Sequence, residues 1–402
     1  MKKRGTSKKQ GSPDSAAYAF TVFLTRIWLG GREKITIDDR LLRDAKAPYV
    51  LLSNHESFED FYYIARMAHP RNPSYVINAH YCTMPFLKTL AKRSGMIPKK
   101  LFTRDMTIGI KILRTIRKGF PLVIFPEGRL SPDGRTNAIA ESGAALYRSL
   151  KTDLVLARIE GAYFAHPKWR RRRYRTEIRV DVRRVLHPEE LQGMSDEEID
   201  RVISETIYND ASEDRSRTWP QKDKAEGLEN LLYRCTACGT LYRTEGKGNV
   251  FTCHACGRRL QIDETYHFTE EPGSISAYYE EIRRMESEEL ESLSLHTEAD
   301  MEIFPAGGGR SRRETGVCML TPEGFSYRSD SGSFTVPAEE LPALAYSCGK
   351  EFELYNGDEL YYFYPKEQPV QAARWGLAAD LLAEKRNADL KKKGKEPADE
   401  RA

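Results

Sequence analysis

No uninterrupted apolar run in this 402-residue chain approaches the ~18 to 20 residues a helix needs to cross a hydrocarbon core, so an ordinary membrane-spanning helix is not expected. The N-terminal apolar stretch lacks a clear small-residue cleavage site and is interrupted by Arg26, so it reads as a retained segment, not a removed signal. A cytoplasmic protein is the expectation. Cysteine is scarce: there are seven, and only Cys235, Cys238, Cys253 and Cys256 fall into a pattern, two C-x-x-C pairs. That excludes a disulfide miniprotein and points to metal spacing. Apolar residues at 40% and aromatics at 10% exclude a wholly disordered chain or a collagen-like repeat. At roughly 100 to 200 residues per domain, two to four folded units are expected.

The net charge of +4 conceals a division. Residues 1–180 hold 35 Lys and Arg against 15 Asp and Glu, and residues 181–402 hold 28 against 44. The basic half suits a polyanion, either nucleic acid or the anionic face of a bilayer, and charge alone does not choose between them.

Residues 1–34 combine a basic leader with an apolar stretch, Tyr18 to Leu29, of helical periodicity. That helix either lies in a membrane interface, with Trp28 at headgroup level, or packs on its own domain. Residues 35–208 alternate apolar runs bounded by turns (49–54, 75–78, 121–128, 154–161) with helical stretches (61–68, 83–95, 107–119, 141–151). This predicts an α/β domain with a mostly parallel sheet. A helix over 195–207 begins with a capping pattern. Residues 209–229 read as a polar linker, 230–262 as the paired-cysteine module and 263–301 as an acidic helical linker. Over 302–392, short strands separated by turns, with Asn356-Gly357 at a hairpin position, precede one long helix carrying Trp375. This predicts a β-rich domain capped by a helix, and 393–402 as a disordered tail.

Two segments carry chemistry. In SNHESFEDF (53–61), His55 and Asp60 lie five positions apart where a strand turns into a helix. A carboxylate there can fix the imidazole tautomer and leave the other ring nitrogen to take a proton from a hydroxyl. In VIFPEGRLS (123–131), Glu127 and Gly128 stand at another strand's C-terminal edge, where open α/β sheets bind ligands. The two are expected to share one site.

These residues resemble the glycerolipid acyltransferases, which move a fatty acyl group from coenzyme A or acyl carrier protein onto glycerol-phosphate derivatives. Asn54, His55, Ser57 and Asp60 match the family's first block, Phe125, Pro126, Glu127 and Gly128 a later one, and GMIPKKLFTR (95–104) loosely matches the block between. PLVIFPEGRLS and ARIEGAYFAHPKW look particularly like the acyltransferase domain of bacterial 2-acylglycerophosphoethanolamine acyltransferases. The resemblance covers about residues 35–190. It implies His55 as general base oriented by Asp60, and a lysophospholipid acceptor, 1-acylglycerol-3-phosphate above all. It implies an acceptor phosphate held by some of Lys99, Lys100, Arg104 and Arg129, with Glu127 and Gly128 supporting that pocket. Arg129 stands one position earlier than the arginine of the Phe-Pro-Glu-Gly-Thr-Arg-Ser form found in many members. A peripheral enzyme on the inner face of the cell membrane follows. The cluster Lys168 to Arg175, cations with interleaved aromatics, would suit anionic lipid, RNA or plain solvent, and lipid fits the motifs better than nucleic acid.

The two cysteine pairs, 14 residues apart and each followed by glycine (Gly239, Gly257), can supply four thiolates to a structural zinc, with iron as the alternative metal. They resemble zinc ribbons and rubredoxin-like modules. The unit at 302–392 is similar in outline to pleckstrin-homology and GRAM-like domains. The competing reading is a nonenzymatic adaptor or nucleic-acid scaffold with a decayed acyltransferase domain. Intact His55, Asp60 and Glu127 argue against it.

Overall fold

The computed structural model describes residues 15–28, 34–82, 85–100, 107–139, 143–305, 310–357 and 359–392. The leader, the C-terminal tail and Arg104 lie outside the described residues.

The first unit is built on a seven-stranded sheet of order β1-β7-β6-β2-β5-β3-β4: β1 Lys34–Asp38, β2 Tyr49–Ser53, β3 Ser74–Asn78, β4 Ile97–Lys99, β5 Leu122–Ile124, β6 Asp153–Glu160 and β7 Glu177–Leu186. β2 to β6 are mutually parallel, and β7 turns back antiparallel to β6 with β1 parallel to it. The mostly parallel sheet is therefore present. Its central strands read as unbroken apolar runs because both faces are covered. Tyr49 and Leu51 face the core shared with α1 (Ser15–Trp28) and α2 (Asp60–Ala68), while Val50 and Leu52 face the other. That second core holds Ile112 and Ile116 of α4 (Ile108–Arg117) and Tyr147 of α5 (Gly143–Leu150). α3 (Pro85–Arg93) precedes β4, α6 (Ala162–Ala165) follows β6, and α7 (Pro188–Gly193) and α8 (Asp196–Ile207) follow β7. Ser195 starts α8 with a reciprocal capping box to Glu198, as the sequence predicts.

Residues 209–229 contain no strand or α-helix, yet they are tied down: Trp219 is buried and its N–H donates to the Glu264 carbonyl. A small sheet of β8 (Thr244–Lys247), β9 (Val250–Cys253) and β10 (Arg259–Gln261) carries the cysteine pairs. Next come α9 (Ile275–Glu288) and an open antiparallel sheet of order β14-β13-β12-β11-β17-β16-β15. Its strands are β11 Leu295–Phe304, β12 Arg312–Thr321, β13 Gly324–Ser329, β14 Gly332–Pro337, β15 Ala345–Ser347, β16 Glu351–Asn356 and β17 Glu359–Pro365. α10 (Ala372–Lys392) closes it, with Trp375 stacked on Phe352 at 4.7 Å.

β11 begins at Leu295, ahead of the boundary expected at 302. Leu295, Thr297, Ala299, Met301 and Ile303 point inward, while His296, Glu298 and Asp300 occupy the alternate positions. The acids of that outer face made the strand resemble the acidic helix before it. One continuous core joins Tyr163, Phe164 and Trp169 of the first unit to Tyr266, Tyr278, Phe352 and Trp375. The later units are packed on the first.

Candidate active site

β2 ends at Ser53, and the next six residues turn the chain into α2. Asn54 anchors that turn: its Oδ1 accepts the Ile159 N–H at 2.8 Å and its Nδ2 donates to the Ile159 carbonyl at 2.8 Å, so the amide copies a strand pairing with β6. Asp60, wholly buried at the first turn of α2, accepts from four groups: the Glu56 N–H (2.6 Å), the Ser57 N–H (2.9 Å), Ser57 Oγ (3.0 Å) and His55 Nδ1 (2.9 Å). A carboxylate already surrounded by backbone donors can only accept from the ring. His55 Nδ1 therefore carries the hydrogen, and Nε2 keeps its lone pair. The His55 ring stacks on Phe125 (centroids 4.2 Å apart, planes 15° apart) with 22% of its side chain exposed. It is held on one face and reachable.

The Phe125–Gly128 turn is joined to this loop by its backbone. Gly128 sits at φ +69°, a conformation costly for residues with a side chain, and its N–H donates to the Phe125 carbonyl at 3.1 Å. The chain then returns so that the Ser131 N–H reaches the His55 carbonyl at 2.9 Å. Glu127 is buried with both oxygens in use: Oε1 accepts the His55 N–H (2.6 Å), and Oε2 accepts the backbone and side-chain N–H groups of Asn137 (2.6 and 2.8 Å). It orders the loop that presents His55 and does not stand open toward an acceptor. His55, Asp60 and Glu127 are thus one hydrogen-bonded unit.

Arg129 is paired with Asp380 of α10 at 2.6 Å, the two side chains 21% and 8% exposed. Lys99 ends β4, and the Lys100 ammonium lies 5.8 Å from the Tyr355 ring of β16. The basic cluster is half interior, against the expectation of an exposed polybasic face. Trp169, Arg170 and Tyr174 are buried, and Arg170 stacks on Tyr174 (3.7 Å) while donating to the Phe164, Ala165 and Arg172 carbonyls and to the Tyr266 hydroxyl. A planar fork of donors suits these loose carbonyls, so the arginine serves packing. Arg171, Arg172 and Arg175 remain exposed.

The sequence reading missed Asn137, which lies in a polar loop without periodic signal, and Glu56. Glu56 is buried and accepts from the Tyr163 N–H (2.9 Å), Asn54 Nδ2 and Asn209 Nδ2. Its position inside the motif, as a further acid, was the available signal. Burial, and then Asp60, push Glu56 up to about 8, and burial does the same to Glu127; the N–H donors pull the other way and lose. A folded-state pKa above the unfolded value contributes stability below the unfolded pKa, near 4.5, and loses it as pH rises through about 8. Urea midpoints should therefore fall between pH 5 and 8, and Glu56→Gln should flatten that slope. An unchanged slope in a folded variant would contradict the assignment.

In the cysteine module the four Sγ atoms lie within 4.8 Å of one another, and the Cys235–Cys256 and Cys238–Cys253 pairs are 3.8 Å apart. A tetrahedral site with metal–sulfur bonds of about 2.3 Å has edges of about 3.8 Å. Gly239 and Gly257, at φ +71° and +77°, let each knuckle fold back so that their N–H groups donate to the Cys235 and Cys253 carbonyls (2.8 and 2.9 Å). The donor set fits one metal ion.

Residues 33–155, which include the His55 loop and the Phe125–Gly128 turn, match the family described as Acyltransferase. The chain carries an acyltransferase domain. A solved structure, the 1-acyl-sn-glycerophosphate (LPA) acyltransferase PlsC from Thermotoga maritima, is similar at 15% identity and TM-score 0.40, over 48% of this chain and 76% of that one. The family match ends at β6, so α6 to α10, the cysteine module and the antiparallel sheet lie beyond the matched part of the acyltransferase domain.

Proposed function

We propose that this protein transfers a fatty acyl group from an acyl-CoA or acyl-ACP thioester to the free hydroxyl of a lysophospholipid, with 1-acylglycerol-3-phosphate the first acceptor to test. The observation that carries this reading is the His55–Asp60 dyad, inside the matched acyltransferase stretch and with the His55 side chain partly exposed. His55 Nε2 takes the proton of the acceptor hydroxyl as the oxygen attacks the thioester carbonyl. Asp60 steadies the imidazolium that forms, and the thiol of the carrier leaves with a proton. Oxygen replaces sulfur on the acyl carbon directly, so no acyl-enzyme is required. A radiolabelled acyl-transfer assay over a panel of lysolipids with both carriers tests the reading. Folded protein that acylates none of them would refute it.

The acceptor is a lipid, which suits a peripheral enzyme on the inner face of the membrane. Among the described residues no helix is long and apolar enough to cross a bilayer. α1 buries Tyr18 against the sheet core and leaves Phe20, Phe23 and Ile27 48%, 56% and 59% exposed. One side of this helix packs on the domain, and the exposed side is the one placed in the membrane interface under this reading. The Trp28 side chain lies outside the described residues. Replacing Phe20 and Phe23 by Asp should weaken binding to liposomes containing anionic lipid by at least about tenfold, since each buried Phe contributes roughly 1.5 to 3 kcal/mol. Flotation equal to the wild type would remove α1 from the interface. In the four-thiolate site we place zinc, whose tetrahedral sulfur coordination and lack of redox chemistry suit a structural role.

A further inference from the structure

Glu59 and Asp60 are neighbours in the chain, and each holds an imidazole. Asp60 orients His55, while Glu59 Oε1 lies 2.8 Å from Nδ1 of His166, which follows α6. The second pair is enclosed much as the first is, with the Glu59 and His166 side chains 1% and 18% exposed. Glu59 stands at the N-cap position of α2, yet its side chain makes no capping bond to the helix and is turned to His166 instead. Its other oxygen, Oε2, is buried and meets no hydrogen-bond donor. A carboxylate has no hydrogen to give, so Nδ1 of His166 carries it. A buried carboxylate that loses its donor is strongly disfavoured, so the pair draws its two segments together.

Those segments are the turn that carries His55 and the short helix after β6. The α6 segment grips the turn at two points: the Tyr163 N–H donates to Glu56 Oε2 at 2.9 Å, and the His166 ring donates to Glu59. Ala162 and Ala165 of α6 share a core with Tyr62 and Tyr63 of α2. From Glu59 the hold passes into the helix itself. The Glu59 carbonyl accepts the Tyr62 and Tyr63 N–H groups at 2.8 and 3.3 Å, and Asp60 is the first residue of α2. Asp60 in turn sets His55 through the 2.9 Å contact at Nδ1. A general base works only when its lone pair is aimed at the reacting proton, and an error of about 1 Å can cost about a hundredfold in rate.

We propose that His166 is a positioning residue for acyl transfer: its ring, bonded to Glu59, fixes the start of α2 so that Asp60 keeps His55 Nε2 aimed at the acceptor hydroxyl. It acts through Glu59 and Asp60 and not on the reacting atoms. The proposal rests on the acyl-transfer reading and adds to it a residue beyond 155, where the family match ends.

The test measures acyl transfer by full-length variants on the best acceptor, per folded molecule and below each melting temperature. His166→Ala and His166→Phe, the second keeping a ring without a donor, should lower kcat about ten- to a hundredfold, with KM for acceptor and donor within about twofold of wild type. His166→Asn, whose amide N–H can stand where the Nδ1 hydrogen stood, should recover kcat to within about threefold of wild type. Because the loss acts through His55, removing His166 in a His55→Ala background should cost less than about twofold more. A histidine that only stabilised the fold would lower the melting temperature and leave kcat per folded molecule unmoved. Ring-nitrogen magnetic resonance of the wild type, read whatever the variants do, should find the His166 hydrogen on Nδ1. A folded donor-less variant with kcat within about twofold of wild type, a loss confined to KM, independent losses in the double variant, or the hydrogen on Nε2 would overturn the assignment. An active wild type with any of these results loses only this proposal, whereas folded wild type inactive on every lysolipid defeats the acyl-transfer reading and this proposal with it.

Discussion

Replacing His55 by alanine is expected to lower acyl transfer by about 10² to 10⁴-fold, the range contributed by a positioned general base, while leaving the melting temperature nearly unchanged. The fold should tolerate the loss because the anchors of this loop do not pass through the ring. Asn54 is bonded to β6, the His55 N–H to Glu127, and the Glu56 and Ser57 N–H groups to Asp60. Removing the imidazole deprives Asp60 of one donor among four. Asp60→Asn should behave differently. Its amide cannot accept on both oxygen positions, so it should both slow transfer and destabilise the loop by a few kcal/mol, the cost of leaving buried N–H groups unmet. Rates of both variants on the best acceptor, read beside their melting curves, check the assignment. Wild-type rates in a folded His55→Ala protein would end it.

Stripping the metal from the four-cysteine site should have the largest effect on stability. The apparent binding free energy of a structural four-ligand zinc is on the order of 10 kcal/mol, comparable with the whole stability of a domain. Here the consequence should spread. Phe251 and Leu260 of the cysteine module, with Tyr266 and Phe268 just after it, share a core with Trp169 of the first unit and with the C-terminal sheet. Chelation, or Cys253→Ser, should remove hydrogen-exchange protection first from β8 to β10 and then from the segment around Trp169. Freshly purified protein should carry close to one metal ion per chain. Metal-free protein with an unaltered melting temperature would show that the thiols do not staple the fold.

The parts of this architecture legible in the sequence depend on nearby residues. The strands within 49–54, 75–78, 121–128 and 154–161 could be read because a largely buried strand is a short unbroken apolar run, although the strand within 121–128 covers only Leu122–Ile124. The His55–Asp60 pair could be read because its partners are five residues apart across a single turn. The cysteine knuckles are likewise local. β11 was misplaced because its outward acids mask a strand's alternation, which becomes decisive only beside β12 and β17.

Sequence alone determined the chemistry available here: an imidazole with its carboxylate, four thiols on two knuckles, and an α/β frame to carry them. Tertiary structure alone decided where the charges went. It turned Glu127 inward onto backbone N–H groups 72 and 10 residues away, paired Arg129 with Asp380, and folded Arg170 onto Tyr174 and Tyr266. The reason is physical. A local motif is specified by neighbours fixed along the chain, whereas the partner of a long charged side chain is whichever donor, acceptor or ring the packed domains bring within a few ångströms, and spacing along the sequence carries no record of that choice.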